Sequence, residues 1–300
     1  MPSIATPQKR LPVYYIGHAG VGLLFRDDPN NKIVQENLRL VGDEIRSLSP
    51  QPKAVIVFSG HFEAGEIHGP NLIEVNIKKE SPILHDYVND FHDSHPHVYN
   101  YDWKHIDAPE LGQDIWRHLK AAGIRTKRVE RGIDHGVWVP FKILFPEDKP
   151  LDIPVVLVST YHGNNLEQQI DLGQTISSLT SQGYLVIGSG MAVHSFDSIG
   201  EIHQASEADR QAVTAKVLAE SKTFDAALRK AVTIPDPQER KQALLDLQLL
   251  PEFKRSHPTV EHFTPLLAAS GAAGHAEVES VGVNIVEPGM SYVNYRFRPL

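Results

Sequence analysis

The sequence contains no cysteine, and this absence excludes several kinds of chemistry at once. Disulfide bonds, cysteine-ligated zinc sites, iron–sulfur clusters and thiol nucleophiles all need a residue that the chain lacks. A chain without disulfides also suits a reducing compartment. Residues 1–7 lack the apolar core of a signal peptide, so we expect a soluble, cytoplasmic protein.

Long apolar runs and an excess of basic charge are missing as well. The longest apolar stretches, such as Ala54–Phe58 and Pro154–Val158, fall far short of the roughly 18 residues that a membrane span requires. The formal net charge is −8, from 29 lysine and arginine residues against 37 aspartate and glutamate residues. Nucleic acids and anionic membranes attract basic surfaces, so we expect neither as a partner.

The 300 residues are enough for one large domain with a sizeable core. Apolar, strand-like runs alternate with amphipathic stretches such as 34–48, and no linker or repeat divides the chain. We therefore predict a single α/β domain over residues 1–300, with helices flanking a central mixed, mostly parallel sheet. A last helix is predicted from about 257 to 270, and the alternation in 290–298 is typical of an exposed or edge strand.

Histidine is abundant, with 16 residues spread along the chain. Three of them, His18, His61 and His194, each follow a predicted strand and lie in a glycine-flanked loop. Such loops converge, because binding sites in wound sheets form at the carboxyl ends of the strands. His135 and His262 occupy loop or helix-start positions and could join them. Imidazole binds Zn, Fe, Cu and Ni, so the pattern predicts a metal site at the carboxyl ends of the strands.

Other catalytic patterns do not match. The glycines of 17–22 lack the spacing of a dinucleotide-binding loop, and the Gly-Ser-Gly segment at 188–190 lacks that of a nucleophile elbow. Glu261 directly precedes His262, and in a helix the two side chains would point about 100° apart. We therefore expect only one of them to face a metal.

The region 64–107 is predicted to be irregular, and a connection of this length is often a lid or a binding loop. Its aromatic side chains could form an apolar wall beside a binding site. These are Tyr87, Phe91, Tyr99, Tyr101 and Trp103.

Five segments together carry a resemblance to a known family. In chain order they are Gly17-His18, Ser59-Gly60-His61-Phe62, the DHGxWxP segment at 134–140, the GSGxxxH segment at 188–194 and the HPTxEHFxPL segment at 257–266. This set resembles the class III extradiol ring-cleaving dioxygenases of the LigB type, and within them the 4,5-DOPA dioxygenase group. The resemblance covers nearly the whole chain, and the segments at 134–140 and 257–266 are its most specific parts.

The resemblance implies an activity and a set of site residues. It implies that His18, His61 and His262 bind the metal, that His194 is the active-site base and lies close enough to be a fourth ligand, and that His135 contacts the substrate. The implied cofactor is one divalent metal, either Fe(II) for dioxygenase activity or Zn(II) as in related proteins. The implied partners are a small aromatic diol, similar to DOPA, and O2.

The chain departs from the family at the first motif, where Gly-His-Ala-Gly-Val at 17–21 replaces the common Gly-His-Gly-Ser-Pro. A ligand set of three histidines also differs from the two-histidine, one-carboxylate site of many non-haem Fe(II) oxygenases. The substrate preference and the metal are therefore open. Two alternative functions remain: a zinc-dependent hydrolase with the same ligands, and a non-catalytic metal-binding protein similar to the Memo-type relatives. The oligomeric state is also open, with a homodimer as one candidate.

Overall fold

The structure, a computed structural model, describes residues 10–65, 71–87 and 91–300, so the N-terminal segment discussed above lies outside the described residues. The strands are β1 Val13–Gly17, β2 Ala54–Ser59, β3 Ile73–Asn76, β4 Thr126–Val129, β5 Val155–Leu157, β6 Tyr184–Gly190, β7 Val193–His194, β8 Ala276–Ser280, β9 Val286–Glu287, β10 Met290–Ser291 and β11 Tyr295–Pro299. The helices are α1 Pro29–Ser47, α2 Pro109–Ala121, α3 His135–Leu144, α4 Leu166–Ile176, α5 Phe196–Gln204, α6 Arg210–Val232, α7 Pro237–Asp246, α8 Pro251–Ser256 and α9 Thr264–Ala273. None of these helices combines the length and the apolar character needed to cross a bilayer.

Six strands form the central sheet, in the order β5-β2-β6-β1-β11-β8. The strands β5, β2, β6 and β1 run parallel, whereas β11 is antiparallel to both of its neighbours. The fold is therefore α/β, with a central mixed, mostly parallel sheet flanked by helices, which confirms the predicted fold class. Two small sheets, β3-β4 and β7-β10-β9, hold the remaining described strands.

Apolar side chains cover both faces of the sheet, because its central strands are apolar at successive positions. In β2, Ile56 and Phe58 belong to one buried layer, and Val55 and Val57 belong to the other. The helices α4 and α9 contribute to the first layer, and α1 and α3 contribute to the second. With both faces covered, the loops at the carboxyl ends of the strands are the place where a site can form.

The last helix begins later than the sequence indicated. The segment 257–263 forms bends and turns, and α9 starts only at Thr264. The segment is held against the end of β6, because the amide of Met191 donates to the carbonyl oxygen of His262 at 2.9 Å. The helical angle expected between Glu261 and His262 therefore does not apply.

Two other local expectations were wrong. The alternation near the C-terminus belongs to β11, which lies between β1 and β8 rather than at an edge, and its Tyr295 and Phe297 are fully buried. The region 64–107 contains β3, which is buried along its length and pairs in parallel with β4. Alternation predicts a strand but not its neighbours in the sheet, and β3 is short and pairs with the distant β4, so the local pattern reveals neither placement.

Candidate metal centre

Three neighbouring strands, β2, β6 and β1, end at the same level of the sheet. The backbone pairing continues into the loops: the amide of His18 donates to the carbonyl of Gly190, and the amide of Gly60 donates to the carbonyl of Ser189, each at 2.9 Å. His18 and His61 are thereby placed side by side, with ring centroids 5.2 Å apart. The prediction that these strand ends converge is confirmed by this geometry.

His262 reaches the same point from the turn before α9. Glycine at 190 permits this approach, because a Cβ there would lie 2.3 Å from the carbonyl oxygen of His262. The ring centroid of His262 lies 5.1 Å from that of His18 and 4.8 Å from that of His61. One ligand nitrogen from each of the three rings lies within 4.8 Å of the others. The three histidines that the resemblance implied as ligands therefore form one buried cluster.

Hydrogen bonds leave one ring nitrogen of His18 and one of His262 available. The hydroxyl of Ser189 donates to a backbone carbonyl of α3, so its oxygen accepts from Nδ1 of His18, 3.2 Å away. The carboxylate of Glu261 accepts from Nδ1 of His262 at 3.0 Å. Each ring then keeps the lone pair on Nε2, and Nε2 of His262 faces Nε2 of His61 at 3.3 Å.

Burial keeps the three rings neutral at neutral pH. It lowers the pKa of His18 and of His262 well below the usual range, and the neighbouring imidazoles lower both further. Burial, together with the adjacent His135 ring, lowers the pKa of His61 to about 3. A neutral imidazole is the form that binds a metal, so the cluster does not have to lose protons before it does so.

This donor set fits a divalent metal. Two nitrogens bound to one Zn²⁺ at roughly 2.1 Å and at tetrahedral angles lie about 3.4 Å apart. The Nε2 atoms of His61 and His262 are 3.3 Å apart, and two lone pairs at that distance repel unless a cation or a proton lies between them. Three imidazoles suit Zn, Fe, Cu and Ni and leave coordination positions open to other ligands. His18, His61 and His262 could therefore hold one divalent metal.

His194 and His135 flank this cluster. His194, on β7, stacks on His262 with ring centroids 3.6 Å apart and an interplanar angle of 12°. His135, the first residue of α3, lies 4.0 Å from His61 and 6.5 Å from His18 between ring centroids. The structure therefore brings all five candidate histidines into one cluster at the carboxyl ends of the strands.

The two flanking histidines differ in their electrostatic surroundings. Burial lowers the pKa of His194 to about 4, and the nearby Glu261 carboxylate opposes that shift. His135 instead contacts Asp86, whose Oδ1 accepts from both the backbone amide and Nδ1 of His135 at 3.0 Å each. Burial raises the pKa of Asp86, but the hydrogen bonds from His135 outweigh it and lower that pKa below its ordinary value. The charged Asp86 fixes the proton of His135 on Nδ1.

The predicted aromatic wall divides into two parts. Tyr87 lies 5.7 Å from His135 between ring centroids, and it contacts Phe91 and Tyr99 at 5.8 and 5.6 Å. Trp103 is buried in the core instead, where it packs against α3. An apolar aromatic surface therefore adjoins the cluster on the His135 side.

Sequence reasoning missed two residues that hold these rings. Ser189 was considered only as a nucleophile, although its place between two glycines at a strand end marks it as a neighbour of the histidine loops. Asp86 lies in the region predicted to be irregular, and nothing in its local pattern connects it with His135. The contact between them follows from the tertiary fold alone.

Comparison with known proteins gives a consistent set of relatives. The family model described as the catalytic LigB subunit of aromatic ring-opening dioxygenase matches residues 12–298. A 4,5-DOPA dioxygenase extradiol-like protein of Schizosaccharomyces pombe is 30% identical over 283 residues, which cover 90% of this chain and 88% of that protein. The 4,5-DOPA dioxygenase extradiol of Beta vulgaris is 28% identical over 287 residues, or 95% of each chain. The crystal structure of an uncharacterized Escherichia coli K12 protein has the same fold, with a TM-score of 0.68 at 20% identity over 96% of this chain and 99% of that one.

Proposed function

The chain belongs to the LigB family of aromatic ring-opening dioxygenases, and on that premise we propose that it cleaves the ring of a catechol with O2. The proposed site is a divalent metal held by His18, His61 and His262, with His194 as base and His135 as substrate contact. The observation that carries the proposal is the meeting of five distant imidazoles in one buried cluster. The substrate is a DOPA-like diol, which is the class named in the relatives.

In the proposed reaction, the ring bond next to the diol breaks, and each of its two carbons receives one oxygen atom of O2. The product is a semialdehyde. A bound divalent metal supplies Lewis acidity toward the hydroxyls and, as Fe(II), redox chemistry toward O2. The task of the chain is then to hold the diol in place and to move its protons.

We propose that His194 receives a proton from the diol. Its ring is neutral at pH 7, because burial lowers its pKa to about 4. A deprotonated diol beside the ring would raise that pKa, because an opposite charge favours the imidazolium form. His194 would then return the proton as a general acid when the ring opens.

We propose that His135 and Tyr87 orient the substrate. The hydrogen bond to Asp86 holds the proton of His135 on Nδ1, so Nε2 can accept from a hydroxyl of the diol. The Tyr87 ring lies beside His135 and offers an aromatic surface on which the substrate ring can pack.

Anaerobic loading with Fe(II) provides the test. After DOPA or caffeate and O2 are added, we expect stoichiometric O2 uptake and a yellow ring-opened product. His18→Ala should abolish both, whereas His275→Ala, which changes a histidine with a 65% exposed side chain, should keep both. An Fe(II)-loaded chain that turns over no member of a catechol panel would overturn the proposal.

A zinc hydrolase is the second candidate, because three histidines are also the ligand set of some hydrolytic zinc sites. Two measurements separate the two functions: the metal content of the freshly purified chain, and the class of substrate that it turns over. Zinc, hydrolysis of an ester or amide and no O2 uptake would favour the hydrolase. Metal binding without turnover of any kind would favour a non-catalytic protein of the Memo type.

A further inference from the structure

Glu261 makes a direct hydrogen bond to one of the proposed metal ligands. Its Oε1 accepts from Nδ1 of His262 at 3.0 Å and from the hydroxyl of Thr259 at 2.9 Å. The Glu261 side chain is 29% exposed, whereas that of His262 is 7% exposed. The carboxylate therefore lies at the rim of the cluster and holds a ring that is buried within it.

The backbone around His262 is anchored independently of that carboxylate. The carbonyl oxygen of His262 accepts from the amide of Met191, and the carbonyl oxygen of Glu261 accepts from the hydroxyl of Thr264 at 3.1 Å. These bonds fix the main chain, and His194 packs against one face of the imidazole. The ring has polar contacts at both nitrogens, with Glu261 at Nδ1 and with His61 at Nε2, and the carboxylate is the one that can only accept a proton, so it assigns the ring proton to Nδ1.

The geometry also argues that Glu261 does not bind the same metal itself. Nδ1 and Nε2 point away from each other across the imidazole ring, so a group that accepts from Nδ1 lies on the side opposite the Nε2 lone pair. The Nε2 of His262 faces His61, and Oε1 of Glu261 is already engaged by two donors. A metal bound at Nε2 would therefore lie at the opposite end of the ring from this carboxylate oxygen.

We propose that Glu261 is a positioning residue for the metal: it fixes the Nδ1-protonated form of His262, aims Nε2 at the cation, and makes that nitrogen a stronger donor. The inference rests on the metal site of the proposed function. Removal of such an outer carboxylate typically weakens metal affinity by 10- to 100-fold. Ser189 makes the corresponding contact to His18 without a charge, so His262 gains more from its partner than His18 does.

Zn²⁺ affinity measured by competition with a chelator tests this role without any turnover assay. In metal-stripped protein we expect Glu261→Ala to weaken Zn²⁺ binding by about 10- to 100-fold. Glu261→Gln should lose less, because its amide oxygen still accepts from Nδ1. The matched control is Glu63→Gln, which alters a carboxylate that accepts from Nδ1 of His162 at 2.9 Å outside the cluster, and its affinity should equal that of the parent.

The outcomes distinguish this inference from the proposed function. A parent chain that binds no Zn²⁺ would overturn the metal site and the role of Glu261 with it. If the parent binds Zn²⁺ and both Glu261→Ala and Glu261→Gln bind it as tightly as the parent does, only the role of Glu261 is overturned. Unfolding of the metal-free variants is measured in parallel, and Zn²⁺ affinities are compared only between proteins that are fully folded without metal. If Glu261→Ala does not fold, Glu261→Gln and Thr259→Val provide the test. Each should bind Zn²⁺ more weakly than the parent, with a loss of affinity below the roughly 10- to 100-fold expected for Glu261→Ala.

Discussion

At the scale of single residues, the neighbour of each imidazole decides what that imidazole can do. His18 and His262 have Nδ1 held by an oxygen, which leaves Nε2 as a donor for a cation. His194 is different, because its ring lies flat on His262 and its edge meets Phe196 at 4.8 Å between ring centroids. That placement puts His194 beside the proposed ligands, and it suits the proposed role of proton exchange with a bound diol.

His194→Ala should separate metal binding from turnover. We expect the variant to bind one metal per chain as the parent does, because the three proposed ligands remain. Turnover should fall by about 10²- to 10⁴-fold, the usual contribution of a general acid or base. Metal analysis and O2 uptake measure the two properties, and full turnover in the variant would remove His194 from the role of base.

We expect His257 to make the stability of the protein depend on pH. Its ring is fully buried and contacts the carbonyl of Ala192 through Nε2 at 3.0 Å, and burial lowers its pKa from 6.5 to about 3. The unfolded chain therefore binds a proton below pH 6.5 that the folded chain excludes. The contribution of neutral His257 to the free energy of unfolding is complete above pH 6.5. It declines by about 1.4 kcal/mol per pH unit as the pH falls toward 3.

His257→Gln removes this titration and can keep the donor to Ala192. Between pH 6 and pH 5, the free energy of unfolding should fall less steeply in the variant than in the parent. The two slopes should differ by about 1.4 kcal/mol per pH unit. Urea unfolding at several pH values measures both slopes. Equal slopes would show that His257 takes up its proton equally well in the folded and unfolded states.

At the scale of elements, the site depends on how closely one segment approaches the end of one strand. The turn that carries His262 lies directly on Gly190 at the end of β6, and a Cβ there would meet its carbonyl oxygen at 2.3 Å. Both groups belong to the backbone, so no side-chain rotation can relieve the contact. The strand end and the turn therefore fix each other and the position of His262.

Gly190→Ala should therefore damage both stability and metal binding. We expect a loss of about 1–3 kcal/mol in the free energy of unfolding, as for other overpacked sites, and weaker Zn²⁺ binding because His262 moves away. The control is Gly20→Ala in the loop after His18, where a Cβ would meet nothing within 4 Å. Denaturant unfolding and chelator competition are the measurements, and equal values for both variants and the parent would contradict the account.

Much of the fold follows from local pattern, and the rest depends on distant contacts. The helix α1 is predicted by the spacing of Val34, Leu38, Val41 and Ile45, and β2 by its unbroken apolar run. The turn at 257–263 has helix-start signals in its sequence, but bonds to β6 hold it in another conformation. Likewise the sequence shows that the histidine loops follow strands, whereas the contact of Asp86 with His135 forms only when the chain has folded.

At the scale of the whole molecule, both ends of the described chain support the histidine cluster. β11 pairs with β1, which leads into His18, and β10 pairs with β7, which carries His194. The support of the cluster thus extends from Val13 in β1 to Pro299 in β11. Such long-range pairing favours cooperative unfolding, and the prediction that residues 1–300 form a single domain can be tested on this basis.

Thermal and denaturant unfolding should therefore show one transition that a metal shifts. Zn²⁺ at a free concentration 100 times its dissociation constant should raise the free energy of unfolding by about 2.7 kcal/mol, because it binds the folded chain. A chelator should reverse the shift. Two separate transitions would contradict the single domain, and a transition that no divalent metal moves would contradict the metal site.

Anomalous X-ray diffraction from crystals of the metal-loaded chain tests the central claim most directly. The account predicts one strong anomalous peak per chain, about 2.0–2.1 Å from one nitrogen each of His18, His61 and His262. A peak bound by other residues, or three imidazoles that do not share a metal in loaded crystals, would contradict it.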